Sequence, residues 1–332
     1  MKYPATRQIK QIDDYHGTPI NDPYRWLEDD TASEVKQWVT AQNEVTQSYL
    51  NQIPYREQIK ARYTTLFNYL KLNVSQKVGE YYIFYKNEGL QNQSTIYIKE
   101  GLQGEESILI DPNTLSEDGT VTINILEASL DNRYVTYAKA EAGSDWQEIY
   151  ILDLHTRQTL PDCLKWIKFT DISWTENGFY YSRYPAPEQG KEFSNANKHH
   201  TVHFHELGTA QSDDQLVYEN RTAPLQYHYA NVTEDGKYLI LYAATGTDGY
   251  ECYYKDLTTD GKEFTALFTG FKHKNTVIDH HEGRFLVRTD IDAPKYRLVS
   301  IDPLAPNPDN WITVLPEQAD LLQQVTIAGG KL

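Results

Sequence analysis

The sequence predicts a mainly β fold, a propeller of about five blades and the start of a sixth, preceded by a short α-helical segment. Three observations predict it. The chain has 26 Tyr, 10 Phe and 6 Trp against a single Met, and aromatic side chains suit pleated, half-buried surfaces. The spacing of apolar residues changes from the helical to the strand period after about residue 70. Strand-like units then recur at intervals of roughly 50 residues.

The composition limits the classes of partner. The 332 residues carry a formal net charge of −16, which argues against nucleic acid or an anionic membrane as a partner. The two cysteines, Cys163 and Cys252, form no disulfide framework or zinc spacing. The N-terminus lacks an apolar signal region and no run of apolar residues is long enough to span a bilayer. We therefore expect a reduced, cytoplasmic protein without membrane contact, metal or cofactor.

The first 70 residues are predicted to be helical. Asp29, Asp30, Thr31 and Ser33 are cap candidates ahead of an amphipathic run. The apolar face of the first helix consists of residues spaced three and four apart: Val35, Trp38, Val39, Gln42, Val45 and Tyr49. Pro54 is expected to open a second helix, because proline is tolerated in a first turn. The apolar side of this second helix contains Ile59, Tyr63 and Leu66.

From residue 71 to 332 two sequence units alternate. The first is a turn followed by an aromatic strand. Its copies are VGEYYIFY at 78–85, DNRYVTYA at 131–138, ENGFYYSRY at 176–184, EDGKYLILY at 234–242 and HEGRFLVRT at 281–289. The second unit contains Tyr97, Tyr150, His203, Tyr253 and Tyr296. Two interleaved repeats with one period indicate a single structural unit, and four strands in about 50 residues is typical of a propeller blade.

The alternative is a β-sandwich with hairpins at irregular spacing, which gives no reason for five cycles in one order. We count five four-stranded blades between about 71 and 317. A sixth is expected to start at QQVTIAGGKL, 323–332. Since a propeller closes its ring to bury its last edge, we expect the chain to be a fragment of a longer protein.

A run of histidines at 199–205 has the composition of a metal site. Only His203 and His205 would share a face of a strand, and Glu206, the one carboxylate at ligand spacing, would point to the other face. We therefore expect no metal there.

Several segments resemble the prolyl oligopeptidase family of serine peptidases. DYHGTPINDPYRWLEDD at 14–30 is similar to the N-terminal signature of the family. GLQNQSTIYI at 89–98, DPNTLSEDGTVTI at 111–123 and AGSDWQEIY at 142–150 are similar to its first two blades. The resemblance extends over essentially the whole chain and is loosest around 185–225.

The resemblance implies a two-domain plan and an activity. A helical segment, here 1–70, packs on a C-terminal α/β-hydrolase domain, and a seven-bladed propeller, here 71–332 and incomplete, covers the active site. The family cleaves short peptides after proline with a Ser, Asp and His triad. This chain has no GxSxG nucleophile elbow, and Ser144 in AGSDW lacks the second glycine. We therefore expect the catalytic residues in a domain beyond this chain, and no peptidase activity from the chain alone.

The resemblance also implies four substrate-binding residues. In a blade, the loop between strands 2 and 3 and the crossover to the next blade open on one face, which puts Asp145, Phe169, Tyr227 and Thr247 on one rim. Asp145 matches an acidic residue beside a substrate-anchoring arginine, and Phe169 matches an aromatic residue of the pocket for the third residue before the cut. Tyr227 and Thr247 line that pocket but differ in type from the expected residues. Ala244 stands where relatives can carry an arginine.

Three functions remain open at this point. The first is a post-proline endopeptidase whose substrates are short proline-containing peptides, expected to be monomeric at full length. The second is a free-standing propeller that acts as a binding module. Against it stand the N-terminal helices, whose apolar faces would be exposed without a hydrolase domain. The third is a related oligopeptidase that cuts after basic residues, whose N-terminal signature is looser than DPYRWLEDD.

Overall fold

The computed structural model describes residues 2–29, 31–188, 190–192, 196–259, 261, 263–327 and 331–332. The chain divides into two compact units. The N-terminal unit comprises Met1–Asn73, Lys86–Asn92 and Ala186–Ala196, and the sheet unit comprises Val74–Tyr85, Gln93–Pro185 and Asn197–Leu332. The predicted boundary after residue 70 stays a prediction.

The N-terminal unit begins with a β-hairpin that the sequence did not predict. Its strands are β1 (Ile12–Tyr15) and β2 (Thr18–Asn21). The prediction that the first 70 residues are helical is wrong here, because His16 and Gly17 both have positive φ, 56° and 86°. Such a pair forms the two-residue turn that joins twisted antiparallel strands.

Two α-helices follow a short 3-10 helix (Arg25–Glu28): α1 (Ser33–Leu50) and α2 (Arg56–Phe67). An Asp29 carboxylate oxygen accepts hydrogen bonds from the backbone N–H groups of Thr31 and Ala32 just ahead of α1. Asp30, the other predicted cap, lies outside the described residues. On the predicted face of α1, Val35 is buried, whereas the apolar residues of α2 are exposed: Ile59, Tyr63, Leu66 and Phe67.

Within the residues that the structure describes, the remaining strands form five antiparallel sheets, numbered 1 to 5 in chain order. Sheet 1 contains β3 (Lys71–Leu72), β4 (Gln76–Val78), β5 (Tyr81–Asn87), β6 (Thr95–Glu100) and β7 (Ser107–Ile110). Sheet 2 contains β8 (Thr122–Ala128), β9 (Tyr134–Ala140), β10 (Gln147–Asp153) and β11 (Gln158–Ile167). Sheet 3 contains β12 (Ser173–Trp174), β13 (Gly178–Arg183), β14 (Thr201–Glu206) and β15 (Gln215–Tyr218).

Sheet 4 contains β16 (Tyr227–Val232), β17 (Tyr238–Ala244), β18 (Glu251–Asp256) and β19 (Thr265–Phe268). Sheet 5 contains β20 (Thr276–His281), β21 (Arg284–Thr289), β22 (Arg297–Ile301) and β23 (Ile312–Leu315). Short 3-10 helices occur at Pro112–Thr114, Gln211–Asp213 and Pro308–Asn310. In sheets 2 to 5 each strand pairs with the next along the chain.

Sheet 1 departs from the expected four strands. Two short strands, β3 and β4, both pair with β5: Lys71–Leu72 lies opposite Lys86–Asn87, and Gln76–Val78 lies opposite Tyr81–Ile83. The first strand of this sheet is therefore broken into two pieces. The predicted start of a sixth blade has no regular strand over residues 323–327, and residues 328–330 lie outside the described chain.

The two sequence repeats correspond to the same two strands of every sheet. The aromatic residues of the first repeat lie at the first or second residue of the second strand: Tyr81, Tyr134, Phe179, Tyr238 and Phe285. Residues of the second repeat lie on the third strand, except that Tyr296 immediately precedes β22. The periodic unit predicted from the sequence is therefore a four-stranded meander.

The turn between the first two strands is built alike in sheets 2 and 4. Thr233 Oγ1 donates to Asp235 (2.7 Å) and accepts from the backbone N–H of Tyr238 (3.1 Å). Ser129 makes the equivalent hydrogen bond to Asp131 (2.5 Å). Such side-chain to backbone bonds define tight turns without relying on the strand ladder.

The core lies between successive sheets. Buried side chains of sheets 1 and 2 form one cluster, and sheets 2 and 3, 3 and 4, and 4 and 5 are joined in the same way. Among the largest fully buried residues are Ile96 and Ile98 of sheet 1, Phe179 and Tyr181 of sheet 3 and Phe285 of sheet 5. This serial packing of small sheets confirms the predicted mainly β, propeller-type fold. The number of blades in the complete propeller stays a prediction.

Candidate functional site

The four predicted substrate-binding residues lie in connections or at strand ends of the sheet unit. Asp145 is in the loop between β9 and β10, and Phe169 is in the connection from β11 to β12. Tyr227 is the first residue of β16, and Thr247 is in the loop between β17 and β18. We call these four residues the candidate rim.

Phe169 and Tyr227 form an aromatic pair, with ring centroids 5.6 Å apart and ring planes at 40°. Phe169 is 60% exposed, so this residue is not part of the buried core. The Tyr227 hydroxyl donates to the Gly246 carbonyl at 2.5 Å, which ties the pair to the loop that carries Thr247. The structure therefore brings together Phe169, Tyr227 and the Thr247 loop.

Asp145 lies near Lys168, the residue that directly precedes Phe169 in the chain. The Lys168 ammonium lies 3.9 Å from the centroid of the Trp146 ring, a cation–π geometry. Partial burial lowers the pKa of Lys168, and the nearby charge of Asp145 opposes that shift. The exposed carboxylate of Asp145 and the ammonium of Lys168 thus form an acidic and a basic group near each other, and Lys168 adjoins Phe169 in the chain.

Next to Asp145 in the chain, Trp146 belongs to a group of aromatic rings that was not predicted from the sequence. Trp146 meets Trp166 and Tyr184 edge to face, at 5.6 and 6.1 Å between centroids. Burial is the main cause that raises the pKa of Tyr184 to about 12, with the charge of Tyr227 adding to it. Trp146 directly follows Asp145, and Trp166 opens the WIKF segment. Those two tryptophans were the available signal, but only the fold shows that they meet.

The backbone that presents Phe169 is strained. Trp166 and Phe169 both have positive φ, 64° and 52°, and each such non-glycine residue costs about 1–2 kcal/mol. Two hydrogen bonds from the end of β13 stabilise the segment. The Tyr184 N–H donates to the Trp166 carbonyl (3.0 Å), and the Ser182 N–H donates to the Thr170 hydroxyl (2.8 Å).

Two other positions from the sequence analysis are structural. Ala244, where relatives can carry an arginine, is buried and lies opposite Tyr227 in the β16–β17 ladder. Ser144 Oγ accepts a hydrogen bond from the backbone N–H of Trp146 at 3.0 Å. The hydroxyl of Ser144 therefore stabilises a turn.

The histidine run has partners that sequence spacing could not reveal. His205 is buried between two carboxylates, with Nδ1 2.7 Å from Asp214 and Nε2 3.0 Å from Asp162. Asp162 comes from β11 in sheet 2 and Asp214 immediately precedes β15 in sheet 3. Within the described part of the chain, no group of three or more His, Cys, Asp or Glu side chains is arranged to hold a metal ion. The His205 network instead joins two neighbouring sheets.

The side-chain chemistry of the candidate rim is suited to binding a ligand, and its role in substrate binding stays a prediction. Phe169, the exposed ring of the aromatic pair, can offer apolar surface to a ligand, and Asp145 can accept charge-assisted hydrogen bonds. In the described residues, no helix is long and apolar enough to cross a membrane.

Comparison with known proteins gives consistent matches over the whole chain. The prolyl endopeptidase of Elizabethkingia miricola is 39% identical over 331 residues, which is 99% of this chain and 46% of that protein. The prolyl endopeptidase of Elizabethkingia meningoseptica is 40% identical, with the same coverage. The dual function macrocyclase-peptidase POPB of Galerina marginata is 30% identical, covering 98% of this chain and 49% of that protein. The chain thus spans about half the length of the curated relatives it matches.

Comparison with solved structures also gives matches over nearly the whole chain. One from a structural and mechanistic study of two prolyl endopeptidases superimposes with a TM-score of 0.86 at 31% identity, covering 99% of this chain and 49% of that one. A mutant of Galerina marginata prolyl oligopeptidase B bound to a 35mer hydrolysis and macrocyclization substrate gives 0.82 at 29% identity, covering 98% and 50%. The family model for the prolyl oligopeptidase N-terminal beta-propeller domain matches residues 3–332, and the chain belongs to this family.

Proposed function

We propose that this chain is the N-terminal part of a serine endopeptidase that cleaves short peptides after proline, and that its propeller limits access to the active site. The observation that carries the proposal is the match from end to end, at 39% and 40% identity, to proteins named prolyl endopeptidase. Those proteins are about twice as long as this chain. The proposal places the Ser, Asp and His of catalysis in a hydrolase domain outside these 332 residues.

In this proposal the candidate rim contacts the substrate. The exposed Phe169 ring, paired with Tyr227, would pack against an apolar side chain of the peptide. Where that side chain is aromatic, the ring pair would contribute about 0.5–1.5 kcal/mol beyond buried area. Thr247 follows the Gly246 carbonyl that accepts from Tyr227 and would line the same pocket. Asp145 would hold an arginine of the hydrolase domain by paired hydrogen bonds.

The proposed partner of the N-terminal helices is that hydrolase domain. On α2, Ile59, Tyr63 and Leu66 are each more than half exposed. A row of large apolar side chains on one short helix is typical of an interaction surface. Residues 1–70 would thus dock on the catalytic domain, and the full-length protein would be a monomer. A cytoplasmic location fits the two free cysteines, Cys163 and Cys252.

The test uses the full-length protein that carries this segment. It should cleave a short peptide after Pro and leave the matched peptides with Ala or Arg at that position intact, and a serine-directed inhibitor should block it. The 332-residue chain alone should show no turnover. Cleavage after Arg instead of Pro would favour the oligopeptidase that cuts after basic residues, and no cleavage by the longer protein would favour a binding module. Inhibitor-sensitive turnover by the chain alone would contradict the assignment of catalysis to another domain.

A further inference from the structure

His200 lies in the segment just ahead of β14 and is 1% exposed. The ring packs against Tyr184, with centroids 4.4 Å apart. A polar ring at this depth needs a hydrogen-bond partner for each nitrogen. Both partners are backbone groups: one lies in the connection from β11 to β12 and the other on strand β16.

The partners determine the protonation state of the ring. Nδ1 of His200 lies 2.8 Å from the backbone N–H of His228, which can only donate, so Nδ1 is the acceptor and carries no proton. Nε2 therefore carries the proton and donates to the carbonyl of Lys168 at 2.9 Å. Burial lowers the pKa of His200 to about 4, which keeps this neutral form at neutral pH.

These two backbone groups flank the aromatic pair. Lys168 immediately precedes Phe169, and His228 immediately follows Tyr227. A reciprocal hydrogen bond, 2.9 Å from Nδ1 of His228 to the carbonyl oxygen of His200, strengthens the second link. One imidazole thus connects the two segments that present Phe169 and Tyr227.

The bond to Lys168 acts on the strained residue. The Lys168 carbonyl belongs to the peptide plane that precedes Phe169, and the orientation of this plane sets φ of Phe169. That φ is 52°, a conformation that a non-glycine residue keeps only when its surroundings determine it. The Nε2 hydrogen bond supplies such a constraint.

We propose that His200 is a positioning residue for the candidate rim, one that sets the separation and tilt of the Phe169 and Tyr227 rings and hence the apolar side chains that a peptide can place there. His200 itself would not touch the substrate. The inference rests on the proposed function for its effect on peptides, whereas the positioning of the rings stands on the geometry alone.

Three variants separate the two hydrogen bonds. His200→Asn keeps an acceptor near the position of Nδ1 and loses the donor to Lys168. His200→Gln keeps a donor near the position of Nε2 and loses the acceptor for His228. His200→Leu removes both. The matched control is His203→Gln, since His203 is 7% exposed on β14 and its Nε2 lies 3.0 Å from the hydroxyl of Thr201.

The first measurement is the ring geometry in crystal structures of the full-length protein. We expect His200→Asn to shift the Phe169 ring, His200→Gln to shift Tyr227, and His203→Gln to leave both in place. If His200→Leu does not fold, the two conservative variants still decide the question. An unchanged aromatic pair in both of them, or an equal displacement in His203→Gln, would overturn the inference.

The second measurement is KM and kcat for two proline peptides that differ by a Phe or a Gly upstream of the proline. Losing one hydrogen bond should raise KM for the Phe peptide about tenfold, with kcat nearly unchanged and the Gly peptide little affected. Shifted rings with unchanged KM for both peptides would support the positioning role and overturn the assignment of Phe169 and Tyr227 to substrate binding. An equal fall in kcat for both peptides would overturn the expected effect of His200 on the binding of the upstream side chain.

Discussion

The network of Asp162, His205 and Asp214 leads to a stability prediction with a definite pH dependence. The three side chains are 0–1% exposed, and each ring nitrogen of His205 is within hydrogen-bond distance of a different carboxylate. The hydroxyl of Tyr181 also donates to Asp214 at 2.6 Å. Burial alone lowers the pKa of His205, but the hydrogen bonds and charges of Asp214 and Asp162 more than offset it, so the pKa is raised.

We consider the substitution Asp214→Asn. It removes one buried charge-assisted hydrogen bond, which contributes about 1.5–3 kcal/mol, and leaves the Tyr181 hydroxyl without its carboxylate acceptor. The equilibrium constant for unfolding should therefore rise roughly 10- to 150-fold. Because the folded pKa of His205 lies above its unfolded value of about 6.5, the stabilisation is fully present below about pH 6.5. It is lost as pH rises through the folded pKa.

The assay is urea unfolding of the 332-residue chain, followed by tryptophan fluorescence at pH 6 and pH 9. The difference in unfolding free energy between the natural chain and Asp214→Asn should be larger at pH 6 than at pH 9. The control is Asp213→Asn, an adjacent aspartate that is exposed, which should change stability by less than about 0.5 kcal/mol. Equal differences at the two pH values would refute a charged His205. A larger difference at pH 9 would mean that the pKa of His205 is lowered in the folded state rather than raised.

The remaining predictions concern three other residues. Asp145→Asn in the full-length protein should raise KM and lower kcat/KM about 10- to 100-fold for short proline peptides; an unchanged kcat/KM would reduce Asp145 to a loop residue, and a collapse of kcat alone would assign it to bond breaking. Burial raises the pKa of Asp235, but hydrogen bonds from Thr233 and His280 lower it by more, so that the net pKa is about 2. The contribution of Asp235 to the stability of the fold is therefore present above about pH 4 and lost as pH falls towards 2. Asp235→Asn should therefore flatten the acid side of a stability-against-pH curve, and parallel curves would contradict this. Gly249 has φ 71°, and a Cβ there would lie 1.9 Å from the Phe271 carbonyl oxygen, so Gly249→Ala should lower the melting temperature. The control Gly246→Ala should not, because a Cβ at Gly246 meets nothing within 4 Å. Equal melting temperatures of the two variants would contradict the clash.

The period of the β region could be predicted because it depends on residues that are close together in the chain. A turn precedes the second strand of each described sheet, and in two of these turns Ser129 with Asp131 and Thr233 with Asp235 make the same hydrogen bond. The hairpin at Ile12–Asn21 was missed because four-residue strands leave too short an alternation to recognise. Its one local signal was the pair His16 and Gly17.

The candidate rim was predicted only as a set of loops. The sequence and the resemblance pointed to Asp145, Phe169, Tyr227 and Thr247, but their contacts depend on loops far apart in the chain. The Phe169–Tyr227 ring contact spans 58 positions of the numbering, and the left-handed φ of Phe169 has no marker such as glycine. That conformation exists because hydrogen bonds from other strands hold it.

By itself, the sequence determined the helices, the repeating strands and the family resemblance, since each depends on residues close together in the chain or on whole motifs. Only the tertiary structure decided what the histidines do. His200 and His205 are five residues apart in one histidine-rich segment. The first forms hydrogen bonds to the backbone beside the aromatic pair, whereas the second lies between Asp162 and Asp214. A buried polar ring takes its role from the partners that folding brings to its two nitrogens, and those partners come from other sheets and connections.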